Sequence, residues 1–269
     1  MSKIVFLGTG AADWHMTQDI ENPDFRALSG MLIDGHIMID CGPGAFVYED
    51  KYGKSGIYRN VDTVFVTHSH DDHFGKAYVE RLCAESEKNI TLYGDKALEQ
   101  FIPQCKNLTF VALDASAHQT VECGGYSVTA LKSNHATRVP GEQTHHYYFK
   151  GEKNLFIGYD GAWLIADTWE FLQKNPIDVY VIDATCGEDF RLDFRNFSHN
   201  NLHMIDFMYE TFIANNVMIP LSKEAGWGYR TRRKAEDYRR RIHPGIRGRS
   251  QKAGKNQCAG TRHDLSGCD

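Results

Sequence analysis

The sequence predicts an α/β fold of four layers, with two sheets face to face and helices on their outer sides. Three observations carry this. Over the first 216 residues, short runs rich in Val, Ile, Phe and Tyr alternate with longer stretches of helical periodicity. Apolar residues are 42% of the 269, enough for a sizeable core. No stretch approaches the roughly 18–20 apolar residues of a membrane helix, so the apolar runs are read as core elements.

In chain order, strands are expected at Ile4–Leu7, Met31–Asp34, Ile37–Asp40, Thr63–Val66, Ile90–Tyr93, Leu108–Leu113, Tyr126–Leu131, His146–Lys150, Asn154–Ile157 and Val179–Asp183. Gly, Asn and Asp punctuate them. Helices are expected at Gly75–Ala84, Lys96–Gln104, Ala162–Lys174 and Asn201–Ala214. The last puts Leu202, Ile205, Phe212 and either Met208 or Tyr209 on one face, so it should pack on a sheet. Ser198 or Asn200 is expected to cap it. Gly8-Thr9-Gly10 lacks the spacing of a phosphate loop and is read as a turn beside the site.

Charge divides the chain. Residues 1–222 carry a net −13 and residues 223–269 a net +8, within a total of −5. From about residue 217 the apolar periodicity also stops, so the domain is expected to span 1–216, followed by an atypical basic tail over 217–269. The tail is expected either to be disordered or to arise from a shifted reading frame after about Met218. The acidic body speaks against broad nucleic-acid contact. Seven cysteines form no C-x-x-C pair, and the start lacks the pattern of a signal peptide. Free thiols in the cytoplasm are therefore expected.

The chemistry concentrates at Thr67-His68-Ser69-His70-Asp71-Asp72-His73, where an apolar strand ends and Phe74-Gly75 opens a helix. Imidazoles at i and i+2 on an extended loop can face one metal. Asp72 and His73 can turn toward a second, about 3.5–4 Å away. His135 follows the strand Tyr126–Leu131; alone it would be a hydrogen-bonded surface residue, but beside this motif it becomes a third imidazole for the first metal. Asp160 follows another strand; alone it would be a helix cap, and here it becomes a carboxylate bridging both metals. Asp40 is read as orienting a ligand imidazole rather than as a ligand. His145 and His146 are read as a strand start. The donors suit zinc, with manganese or iron as alternatives.

His-x-His-x-Asp-His, then a distant His, then an Asp after an apolar strand, is the ligand order of the metallo-β-lactamase superfamily. The chain resembles that superfamily over about residues 3–216. The opening Ile4–Gly10 and Met38–Gly44 are similar to its first strand and to the strand before its metal loop. Ile182-Asp183-Ala184-Thr185 and Ser198-His199-Asn200-Asn201-Leu202 resemble the phosphodiesterase of the carbon–phosphorus lyase pathway and its relatives. That phosphodiesterase has a Cys-rich structural zinc site after its Gly-Thr-Gly loop. Residues 11–16 here contain no cysteine, so no such site is expected. A final His ligand, on a late strand in the family, has no convincing equivalent; His243 is the one rival for it.

The resemblance implies a small-molecule phosphodiesterase with two divalent ions and a metal-activated hydroxide, the second metal site being impaired if the tail is aberrant. Asp72 would serve as ligand and orient the nucleophile. His199 is either structural at a helix start or, as the resemblance implies, a phosphate contact or proton donor to the leaving oxygen. The alternatives are hydrolysis of a lactone, thioester or β-lactam on the same fold, or an inactive metal-binding member. A homodimer is compatible with the reading; a membrane partner is not expected.

Overall fold

The computed structural model describes residues 3–218 apart from 13, 17–19 and 189–192. The chain divides into two units, Met1–Pro220 and Leu221–Asp269. The second unit lies outside the described residues, and with it His243 and all of the expected tail except Val217 and Met218. Val217 is buried beside Ile177 and Phe212, and Met218 forms a bridge with Ile177, so the domain runs past residue 216.

The first sheet has the strand order β1 (Ile4–Gly8), β2 (Gly30–Ile33), β3 (Ile37–Ile39), β4 (Thr63–Phe65), β5 (Ile90–Gly94) and β6 (Leu108–Ala112). It is antiparallel from β1 to β3 and parallel from β3 to β6. The second sheet contains β7 (Thr120–Cys123), β8 (Tyr126–Lys132), β9 (His145–Lys150), β10 (Leu155–Gly158) and β11 (Val179–Ile182), in the order β11-β10-β9-β8-β7. The helices are α1 (Pro43–Tyr52), α2 (Lys76–Glu85), α3 (Ala166–Lys174) and α4 (Leu202–Ala214).

Alternation along the strands builds the layers. Met31, Ile33, Ile37, Ile39 and Phe65 meet Val128, Tyr147, Phe149 and Ile157 in a core between the sheets. Their neighbours Leu32, Met38 and Val64 face outward, onto Phe46 of α1 and Val79 and Leu82 of α2. Tyr148 and Phe156 face the other way, onto Leu172 of α3 and Met204, Met208 and Phe212 of α4. Strands buried on both faces read as continuous apolar runs, which is why Val64-Phe65-Val66 and Leu155-Phe156-Ile157 stand out in the sequence. The result is the expected four layers.

Several expectations need correction. Helix α1 and strand β7 were not expected. The helix expected over Lys96–Gln104 is a 3₁₀ segment, Lys96–Phe101; Pro103 lacks the N–H that a continuing helix needs, and disfavours helical geometry just before it. Helix α3 starts at Ala166, later than expected. Helix α4 is capped by Asn201, whose side chain accepts from the Met204 N–H, rather than by Ser198 or Asn200. Its buried face takes Met208 rather than Tyr209, and Leu202 is 39% exposed.

Strand direction positions the site. β8 and β10 are both antiparallel to β9, and β11 is parallel to β10. All three therefore end at the same rim of the second sheet, where His135, Asp160 and Asp183 follow them. The loop after β4 reaches that rim from the first sheet. Gly42 allows the close approach of α1, since a Cβ there would lie 2.3 Å from the Asp72 carbonyl oxygen. Among the described residues, no helix is long and apolar enough to cross a membrane.

Candidate metal centre

Three groups of potential ligands meet at the rim, all sharing Asp160, and two of them are built on the His68–His73 motif. His68, His70, His135 and Asp160 form one, and Asp72, His73 and Asp160 form the other. In the first, His70 Nδ1 lies 3.0 Å from His68 Nε2 and 3.2 Å from His135 Nε2. Asp160 Oδ2 lies 3.6 Å from both Nε2 atoms. In the second, His73 Nε2 lies 3.3 Å from Asp72 Oδ2 and 3.4 Å from Asp160 Oδ1. One carboxylate thus turns a different oxygen to each set, as expected for a bridging Asp160.

These spacings fit a metal. Four donors at about 2.0–2.1 Å from one ion stand roughly 3.3 Å apart in a tetrahedron. The hydrogen bonds behind the rings fit as well. His135 Nδ1 donates to the Ser198 carbonyl at 3.0 Å. His68 Nδ1 is 2.9 Å from the Thr67 hydroxyl, which in turn donates to Asp40. His73 Nδ1 donates to Asp40 Oδ2 at 2.6 Å. Each bond places the proton on Nδ1 and leaves an Nε2 lone pair aimed into the cluster. His68 Nε2 and His135 Nε2 thus converge as acceptors on His70 Nδ1, an arrangement that a cation shared by the three rings reconciles.

Asp40 is bonded to His73 Nδ1 and to the Thr67 hydroxyl, where a carboxylate that orients those groups would stand. It is fully buried and also accepts the Thr67 N–H at 2.7 Å. Its backbone is left-handed at φ 60°, a conformation that Asp tolerates better than most residues. Burial raises its carboxyl pKa, against the pull of His73. His145 and His146 belong to β9 and to neither donor set, in keeping with a strand start. The 2.9 Å contact from His146 Nε2 is to the Tyr159 carbonyl.

The electrostatics match the two sets. Burial, with the neighbouring imidazoles, pushes His68 well below its ordinary 6.5. Burial also lowers His135. Both are neutral near pH 7, the form a metal needs. For His73 burial works in the same direction, but Asp160 and Asp40 outweigh it and hold the ring well above 6.5. For Asp160 burial is outweighed by His73, His68 and His135, which hold it well below the usual carboxylate range. A field that favours a proton on His73 also favours a cation.

The structure brings His199 to this rim. Its ring stands 4.7 Å from that of His135, and Nδ1 lies 2.8 Å from Asp183 Oδ2. Asp160, Asp183 and His199 each offer an atom within 4.8 Å of the others. Burial lowers the His199 pKa, but Asp183 and Asp160 win and raise it. Asp183, to which the sequence assigns no role of its own, follows an apolar strand just as Asp160 does. Asp183 also accepts the Gly161 N–H at 3.2 Å. The next two amides are held in turn, Ala162 by Asn134 Oδ1 and Trp163 by Asn200 Oδ1. Side chains adjoining His135 and His199 thereby fix the turn that carries Asp160.

The family described as the β-lactamase superfamily domain matches residues 36–212. Ribonuclease Z of Myxococcus xanthus (strain DK1622) is 28% identical over 153 residues, 52% of this chain and 46% of that protein. The chain thus spans about half the length of the curated relative it matches. The metallo-β-lactamase-fold protein YhfI of Bacillus subtilis superposes with a TM-score of 0.57 at 18% identity, covering 74% of this chain and 77% of that one. A diphosphatase of the PhnP family superposes at 0.56 with 16% identity, covering 78% and 83%. With more than half its residues inside the family match and four layers in place, the chain belongs to the β-lactamase superfamily and has the metallo-β-lactamase fold.

Proposed function

We propose that the protein is a phosphodiesterase acting on a small-molecule substrate through two divalent ions. Zinc is the first choice, and manganese or iron suits the same donors. His68, His70, His135 and Asp160 would hold one ion; Asp72, His73 and Asp160 would hold the other. The observation that carries the reading is Asp160, whose two oxygens face two donor sets. A ribonuclease among the relatives and a diphosphatase among the structural neighbours support phosphoryl chemistry over acyl chemistry.

When bound, the ions would lower the pKa of a coordinated water to about 7 and offset charge on a phosphoryl oxygen. The chain's own groups do the rest. Asp72 is only partly exposed and, despite the opposing effect of burial, is held below the usual carboxylate range by His73. It stays ionised and orients the attacking water. Asp183 accepts the Nδ1–H of His199, so the charged form of the ring carries its second proton on Nε2. His199 protonates the departing alkoxide from there, and its raised pKa keeps that proton available near neutrality. His68 and His73 are shut off from solvent, 0% and 1% exposed.

Metal analysis of the purified protein, combined with a panel of bis-p-nitrophenyl phosphate, cyclic nucleotides, lactones and nitrocefin, tests this. Bound divalent metal with phosphodiester turnover is expected. Lactone or nitrocefin turnover without phosphodiester turnover would overturn it.

A further inference from the structure

The first donor set draws on two separate loops, one from each sheet. His68 and His70 follow β4, and His135 follows β8. Metal affinity requires those loops to hold their relative position before the ion arrives, because ordering them on binding would consume affinity. Four consecutive residues, Glu142 to His145, span the gap.

Glu142 reaches Ser69, the residue between His68 and His70. One carboxylate oxygen accepts the Ser69 N–H at 2.7 Å, and the other accepts its hydroxyl at 2.5 Å. Gln143 Nε2 donates to the Ser133 carbonyl at 3.0 Å, two residues before His135. Thr144 Oγ1 donates to the carbonyl of His135 itself at 2.8 Å. The His145 N–H donates to the Thr67 carbonyl at 2.9 Å, just before His68. The Ser133 N–H closes the ladder on the Thr144 carbonyl at 2.9 Å. One short segment therefore makes contacts with both ligand loops.

We infer that Glu142–His145 is a brace that sets the distance between the two ligand loops, and that Glu142 is a positioning residue for the first donor set. The inference rests on the metal reading of that set. Glu142 does not touch the donors; it acts through Ser69. Its carboxylate matches the two donors of Ser69 in a paired, charge-assisted contact. Partners bonded directly to a ligand typically contribute 10–100-fold to metal affinity, and the brace, one residue removed, is expected to act on the same scale. A glutamine preserves the pairing, since its oxygen accepts the Ser69 N–H while its amide donates to the hydroxyl.

The test is zinc affinity of the full chain, measured by competition with a chromophoric chelator, with thermal melting of each metal-free protein alongside. Glu142→Ala should bind zinc roughly 10–100-fold more weakly, while Glu142→Gln stays within a few-fold of wild type. Ser69→Ala, which loses one of the two contacts, should fall between them, and it decides the matter if Glu142→Ala does not fold. Unchanged affinity in Glu142→Ala and Ser69→Ala, or equal loss in Ala and Gln variants, would overturn the brace. Failure of the wild-type protein to bind zinc, manganese or iron would instead overturn the metal reading.

Discussion

The two donor sets share Asp160 but are built differently. The first has three imidazoles and a carboxylate, drawn from loops of both sheets. His68 and His135 in it are pushed toward the neutral form. The second has one imidazole between carboxylates, and that imidazole is pushed toward the charged form. Among the described residues it has three donors. The contrast shows how one short motif serves two purposes. His68 sits where burial removes charge, whereas His73 sits where Asp40, Asp72 and Asp160 concentrate it. The first set offers four donors to one ion, and the second concentrates negative charge but offers fewer donors to a cation. A second ion should therefore leave first on titration with a chelator.

The largest effect that sharpens this contrast is loss of a ring from the full set. His68→Ala and His70→Ala should each abolish activity and remove about one metal ion per chain. Full metal occupancy in both variants would break the assignment.

Next in size is His199→Ala, outside both sets. It should leave metal content unchanged and slow turnover by roughly 10²–10⁴-fold, the scale of a general acid. The loss should shrink with good leaving groups such as p-nitrophenolate. Because the pKa of His199 is raised, the acid form is present below that pKa and lost as pH rises through it. The wild-type rate should fall on that basic limb, and the limb should vanish in the variant. An equal loss with good and poor leaving groups would point to a binding role.

A smaller effect is expected at Asp40. Asp40→Asn keeps the shape but, with its one oxygen held by the Thr67 N–H, turns an amide NH2 toward His73 and removes the acceptor behind that ring. It should reduce affinity for the second ion about 10–100-fold and leave the first nearly intact. Equal weakening of both ions, read by chelator titration, would show that the sets are not separable.

Much of this was legible because the chemistry follows strand ends. His68, His70, Asp72, His73, His135 and Asp160 all lie just beyond apolar runs, and the structure brings all six together. The layers were legible because doubly buried strands leave unbroken apolar runs. Helix α1 was not, since its Gly42 N-cap makes no side-chain bond and its apolar residues lack a clear single face. Strand β7 is four residues, none fully buried, without a strong pattern. Glu142 was invisible because its partner is 73 residues away and it sits in a loop without periodicity. Asp183 carries the same signal as Asp160, a carboxylate just after an apolar run, here Val179–Ile182.

The bridging role of Asp160 is the centre of the account, and metal stoichiometry in Asp160→Ala tests it most directly. Metal content would be measured by plasma mass spectrometry after equilibration with zinc, with wild type alongside. Wild type should hold two ions, and the variant should lose the second entirely and hold the first only weakly. A variant that stays folded and carries the same metal content as wild type would contradict it.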